Sequence, residues 1–313
     1  MTEVHSISKN TSRVSDYKSR FGPDGLHLFN RETGTNILID EVMIPTDRWS
    51  KAPRQVSIAL TNACDLSCTH CYASKQKAIL DFDLLTTWLR TLDLNGCMGV
   101  GFGGGEPTLY PKFIELCEYA TNETGLAVTL TTHGHRLDEA FLNKLSGNVH
   151  FVRVSMDGVG STYEDIRGRS FDELVKKIKL LKETVPFGVN YVVNAATIGD
   201  LDEAAQIADN LGASELLLLP EVPVGRGKGI DDNTNRVMQE WVRNYLGDVR
   251  LAISETHTDG IPVCEPFEME TGISSYVHID AMGILKTNSF SQDGVLVNHL
   301  KIMDALKTLR DRS

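Results

Sequence analysis

The stretch "ACDLSCTHCY" (Ala63–Tyr72) holds three cysteines spaced C-x3-C-x2-C, with His70 placed before the third. Thiols packed this closely bind metal more often than they form disulfides in a reducing compartment. A structural zinc site takes four protein ligands. A cubane iron–sulfur cluster has four irons, each wanting one ligand from outside. Cys64, Cys68 and Cys71 would leave one iron free to coordinate a substrate or cofactor. His70 offers a fourth ligand for a zinc knuckle, although its adjacency to Cys71 would strain a loop that used both. The cysteines therefore read as an open-site cluster, with zinc as the alternative.

Other residues suited to chemistry recur at intervals behind this loop. "GGGEP" contains Gly104, Gly105 and Glu106. "HGH" brings His133 and His135, and "VSMDG" brings Ser155 and Asp157. "RGR" begins at Arg167, and Asn194 and Glu221 follow. The elements that must position them alternate regularly. Strands are expected at 55–61, 97–103, 126–132, 150–157, 187–194 and 215–222. Helix-period segments lie between them. In "DFDLLTTWLRTL", Phe82, Leu85, Leu89 and Leu92 share a face. "SFDELVKKIKLLKE" opens with a capping box, Ser170 and Glu173. Six such units predict an α/β fold with parallel strands, doubly wound or rolled into a barrel. In either form ligands gather beyond the carboxyl ends of the strands, where these polar residues fall.

Before the first unit, residues 1–20 are expected to be disordered, and 21–52 to form a β-hairpin turning at Thr33-Gly34 plus a linker. After the last come a helix near Asn235–Leu246, a short strand "VRLAIS", a hairpin in "SYVHIDAMGILKTN" and a final helix. "GVGFGG" matches the dinucleotide fingerprint only formally, because its glycines lie within the strand and Pro107 follows.

The chain has 313 residues, 41% of them hydrophobic and 23% charged, with a net charge of −11. That charge argues against nucleic-acid binding, which draws on clustered lysine and arginine. No apolar run approaches the roughly 18 residues of a membrane span, and the N-terminus shows no signal-peptide core. The expectation is a cytoplasmic protein with neither nucleic-acid nor membrane partner.

"CDLSCTHC" directly after a first strand, followed by "GGGEP" after the second, resembles the radical S-adenosylmethionine (radical SAM) family. The resemblance covers about residues 53–225. It implies a partial (β/α)6 TIM barrel over 53–230, with the N-terminal hairpin and a short α+β extension over 231–313 at either side. It also implies one 4Fe–4S cluster on Cys64, Cys68 and Cys71, whose fourth iron is chelated by S-adenosylmethionine (SAM). By the same resemblance Gly104, Gly105 and Glu106 hold the methionyl amine, and His70 takes the position near the adenine. Ser155 contacts the ribose or carboxylate, Arg167 pairs with the carboxylate, and Asn194 lies near SAM. "PEVPVGRG" passes beneath the adenine. "SMDG" followed by "RG" resembles the peptide-modifying branch, which implies a ribosomally made peptide as substrate. A one-electron donor such as flavodoxin or ferredoxin is implied as well.

The resemblance has departures. Many members of that branch carry a cysteine-rich SPASM extension for auxiliary clusters, yet here the expected cysteines are missing from a similar hairpin. Cys264, alone in "DGIPVCEPF", is expected in a loop above the barrel mouth, where a thiol could donate a hydrogen atom. A small-molecule epimerase or dehydrogenase acting on a sugar or aminoglycoside is the alternative that uses it. A non-catalytic iron–sulfur or zinc scaffold is the alternative of another class. Cys97 and Cys117 read as core residues.

Overall fold

The computed structural model describes residues 16–254, 260–297 and 301–312. It begins with an antiparallel sheet of β1 (Lys18–Gly22), β2 (Gly25–Phe29) and β3 (Asn36–Ile39). The hairpin expected from Gly25 is β2–β3, with Phe29 opposite Asn36. The expectation of disorder through residue 20 is corrected for Lys18–Arg20, which are already in strand. Arg20 explains why their sequence pattern hid this. It is 1% exposed and is held by Glu270, donating from Nε to Oε1 at 2.9 Å. An ion pair to a residue 250 positions away leaves no local signature.

Six parallel strands carry the site: β4 (Gln55–Thr61), β5 (Gly99–Gly104), β6 (Ala127–Thr132), β7 (Phe151–Ser155), β8 (Phe187–Val193) and β9 (Glu215–Pro220). They lie side by side in chain order, as a barrel wall requires. Helices α1 (Phe82–Leu94), α2 (Phe113–Glu123), α3 (Glu139–Leu145), α4 (Gly160–Arg167), α5 (Phe171–Leu181) and α6 (Leu201–Leu211) alternate with them. In α1, Asp81 caps the first turn by accepting from Leu84 N–H. Leu85, Trp88, Leu89 and Leu92 then recur at helical spacing and are buried. They join Val56, Ile58 and Leu60 of β4 in one core. The intervening residues of β4 turn the other way, into the barrel. A Cβ on Gly101 would lie 3.0 Å from Thr129 Oγ1 and 4.0 Å from Ser57 Cβ, which identifies that polar inner face.

The C-terminal residues extend this sheet at both edges. After α7 (Asp232–Asn244), β10 (Arg250–Ile253) pairs parallel with β9. At the other edge β11 (Tyr276–Ile279) pairs parallel with β4, with His278 opposite Ser57. β12 (Ile284–Lys286) and β13 (Val295–Leu296) complete the ten-stranded sheet, and α8 (Ile302–Arg310) follows. The extension expected from residue 231 is thus continuous with the barrel wall. Among the described residues no helix is long and apolar enough to cross a membrane.

Candidate active site

The cysteine loop leaves β4 at Thr61 and is fastened by three other strand ends. Gly105 N–H donates to Thr61 O at 2.7 Å and Glu106 N–H to Ala63 O at 2.8 Å, tying the loop to the end of β5. Arg226, beyond β9, donates its N–H to Cys71 O at 3.0 Å and Nη1–H to Ser67 Oγ at 2.8 Å. Gly225 has φ +65°, and a Cβ there would lie 2.6 Å from Cys71 O, so only glycine lets this segment approach. Cys68 is buried, while Cys64 and Cys71 are half-buried, and none is in a disulfide. Burial pushes the Cys64 thiol above its ordinary value. Two cations face the other sulfurs: Arg167 Nη1 lies 3.5 Å from Cys68 Sγ and Lys75 Nζ lies 3.3 Å from Cys71 Sγ.

Glu106 is fully buried, and its carboxylate is held by four donors. Oε1 accepts from Thr132 Oγ1 (2.8 Å), Thr108 Oγ1 (2.7 Å) and Thr108 N–H (3.2 Å), and Oε2 accepts from His133 N–H (3.0 Å). Such a cage fixes a carboxylate in one orientation. The preceding glycines also have a structural reason. A Cβ would lie 2.4 Å from Thr61 O at Gly104, where φ is +133°, and 2.2 Å from Ala63 O at Gly105. They are bare so that the β5 turn can dock on the cysteine loop.

His133 completes this junction. His135 N–H donates to His133 Nδ1 at 3.1 Å, so the ring hydrogen stays on Nε2 and is donated to Asp65 Oδ1 at 2.8 Å. Burial pushes the Asp65 carboxyl up, but His133 beside it brings it below its usual value. Ligand atoms of Cys64, Asp65 and His133 lie within 4.8 Å of one another. His135 instead meets Tyr163 OH at 2.8 Å, and burial lowers its pKa to about 4.

The end of β7 presents a second charged group. Asp157 is buried between Arg167 and His70, whose Nε2 lies 3.1 Å from Oδ2. Desolvation opposes both charges. Even so, Arg167 and His70 hold Asp157 well below the usual carboxylate range, and Arg167 is raised above its ordinary value. Arg167 Nε and His70 Nδ1 are buried without a protein partner, as is Asn190 Oδ1 on β8. Ser155 ends β7 opposite Asn190. Asn194 does something else: its Oδ1 accepts from Ala196 N–H at 2.9 Å and Thr197 N–H at 3.1 Å, closing a turn after β8.

Cys264 requires a correction. It is exposed, and its segment is anchored at the amino ends of the strands, opposite the cysteine loop. Phe267 stacks on Arg54, just before β4, and the N–H groups of Glu268 and Glu270 donate to Asp24. Gly260 O accepts from Arg243 near the end of α7. No loop over the barrel mouth holds this thiol. Cys97 and Cys117 are fully buried, and burial pushes the Cys97 thiol up to about 11.

Sequence reasoning did not single out Asp65, Thr108 or Thr132, and it gave Asp157 a place at a strand end but no partner. It also passed over an inward-facing cluster on β4 and β11, where Ser57 Oγ lies 2.6 Å from both His278 Nδ1 and Tyr276 OH. The period-2 alternation of polar residues in "QVSIALT" and "YVHID" was the available signal.

The donor set suits a cluster with an open iron. The three thiols share one short loop, cations lie against Cys68 and Cys71, and Arg167 and His70 each keep a buried polar atom without a protein partner. The radical SAM superfamily model matches residues 58–208. An AdoMet-dependent heme synthase from Methanosarcina barkeri is 28% identical over 58% of this chain and 55% of its own length. The mycofactocin maturase MftC of Mycobacterium tuberculosis is 32% identical over 64% of this chain and 52% of its own. The sporulation killing factor maturation protein SkfB of Bacillus subtilis is 30% identical over 69% and 55%. The chain thus spans about half the length of these curated relatives. Streptococcus suis SuiB bound to S-adenosylmethionine shares the fold, with a TM-score of 0.72 at 16% identity over 92% of this chain and 86% of that one. Residues 58–208 thus form a radical SAM domain, and enzymes of that superfamily use a 4Fe–4S cluster and S-adenosylmethionine.

Proposed function

We propose that this chain is a radical SAM enzyme that modifies a ribosomally made peptide. The observation that carries the chemistry is the loop of Cys64, Cys68 and Cys71 at the carboxyl end of β4, with Arg167 against Cys68 and Lys75 against Cys71. When bound, a reduced cluster with SAM supplies methionine and a 5′-deoxyadenosyl radical able to take hydrogen from an unactivated C–H bond.

The protein's own part is binding, orientation and exclusion of solvent. Cys64, Cys68 and Cys71 hold the cluster. Glu106, fixed by Thr108, Thr132 and His133, presents a carboxylate for the methionyl amine. The unpartnered Nε of Arg167 and Nδ1 of His70 provide polar contacts on the opposite side, with Ser155 beside them. Asn194 is engaged in its turn, and Asn190, with a free acceptor on the inner face, replaces it as the β8 contact.

The peptide substrate is supported by the maturase relatives, and SuiB has been crystallised bound to precursor peptide SuiA. A one-electron donor such as flavodoxin or ferredoxin and a cytoplasmic location belong with this reading, since free thiol ligands persist in a reducing compartment.

The test is an anaerobic assay of reconstituted protein with SAM, reductant and a short peptide encoded beside it, read by mass spectrometry in heavy water. Loss of hydrogens from the peptide supports cross-linking or desaturation, and deuterium gain supports epimerisation. An unchanged peptide with SAM still cleaved would turn the assignment to a small molecule, as the heme synthase relative suggests.

A further inference from the structure

A cavity of about 590 Å³ opens against the cysteine loop. Cys64 lines it, together with Lys75, Lys77 and Arg226. Its one carboxylate, Asp65, is already engaged by His133. Residues 62–79 and 222–230 meet here, bringing Lys75, Lys77, Arg226 and Lys228 against that single acid. The next acids along the chain are engaged: buried Glu221 accepts from Lys228 N–H at 2.8 Å, and Asp81 and Asp231 cap α1 and α7. This is a basic surface on a chain of net charge −11. All four cations are exposed, whereas the inward-facing Thr131, Ser155 and Asn190 do not line the cavity.

We propose that this rim is the docking surface for a small acidic one-electron carrier protein. The inference rests on the radical SAM reading of the cysteine loop. An electron donor must come close to the cluster from outside the barrel, because electron transfer weakens steeply with distance. Lys75 and Cys64 bring the loop's sulfurs to this face, and the local positive charge would steer an acidic protein onto it. The carrier loses one electron and is oxidised by one. That electron enters at the cysteine loop, and no bond or proton moves in the transfer. A peptide substrate is disfavoured here, because its reacting carbon must reach the barrel interior.

The experiment uses a bacterial flavodoxin as the probe and compares the wild type with K75E/K77E. A second variant, K77E, leaves the neighbour of Cys71 in place. Binding is measured by NMR titration of labelled flavodoxin with unlabelled enzyme at low and at physiological salt. At low salt the double variant should bind about tenfold more weakly or worse, with a shallower salt dependence. The ratio of flavodoxin-driven to dithionite-driven SAM cleavage should fall by a similar factor, and K77E should show part of both effects. Unchanged affinity and ratio in both variants would overturn the proposal. So would a rise only in KM for the peptide, which would make the rim a substrate contact. Absence of dithionite-driven cleavage in the wild type would show that the radical SAM reading itself had failed, taking this proposal with it.

Discussion

Arg167 and Asp157 form a buried ion pair, 11% and 1% exposed in their side chains, at the point where β7 faces the cysteine loop. The same guanidinium reaches Cys68 Sγ at 3.5 Å, and Asp157 also receives Val192 N–H at 2.8 Å. One ion pair therefore links the end of β7, the end of β8 and the second cysteine.

Removing half of this pair should be costly, because a buried charge left alone is far worse than no charge. Arg167→Gln is expected to destabilise the fold by about 3–5 kcal/mol. It should also lower iron content after reconstitution. Denaturant midpoints and iron assays check both, and a loss below about 1 kcal/mol would contradict a buried, tightly coupled pair.

Gly105→Ala should move the cysteine loop, since its Cβ would lie 2.2 Å from Ala63 O, a backbone atom. Iron content and SAM affinity should both fall severalfold. Gly103→Ala, where a Cβ meets nothing within 4 Å, should leave iron content as it is. Equal iron in the two variants would refute the docking role given to Gly105.

His278 makes the fold acid-sensitive. An unfolded imidazole takes its proton near 6.5, whereas burial delays this in the folded chain to about 4. Below pH 6.5 the unfolded state therefore binds more protons, and stability falls as pH falls. From pH 7 to pH 4 this group alone should remove about 3 kcal/mol. His278→Gln should flatten the stability profile between pH 6.5 and 4, and an unchanged slope would contradict it.

Cys264→Ala should leave product formation and SAM cleavage as in the wild type, measured side by side. Product lost while cleavage persists would restore the hydrogen-donor role against the exposed, opposite-face position of this thiol.

The barrel was largely legible because its signal is local. The expected strand at 55–61 coincides with β4, and Ser170 does cap α5 by accepting from Glu173 N–H. The cysteines, "GGGEP" and Arg167 could be found because motif spacing survives in one dimension. The partners of those residues could not. Thr132, His133 and Asp65 meet Glu106 or one another only after β4, β5 and β6 are laid side by side. Asn190 and Asn194 look alike in sequence, and only the turn at Ala196–Thr197 shows which one has its oxygen engaged. Cys264 was misplaced for the same kind of reason: nothing local says which end of a barrel a long connection will cross.

The most direct test of the central claim is metal content and SAM cleavage measured together after anaerobic reconstitution. The account predicts about four irons per chain and reductant-dependent 5′-deoxyadenosine, both lost in Cys68→Ala. A chain that takes up zinc, leaves SAM intact and is indifferent to reductant would contradict it.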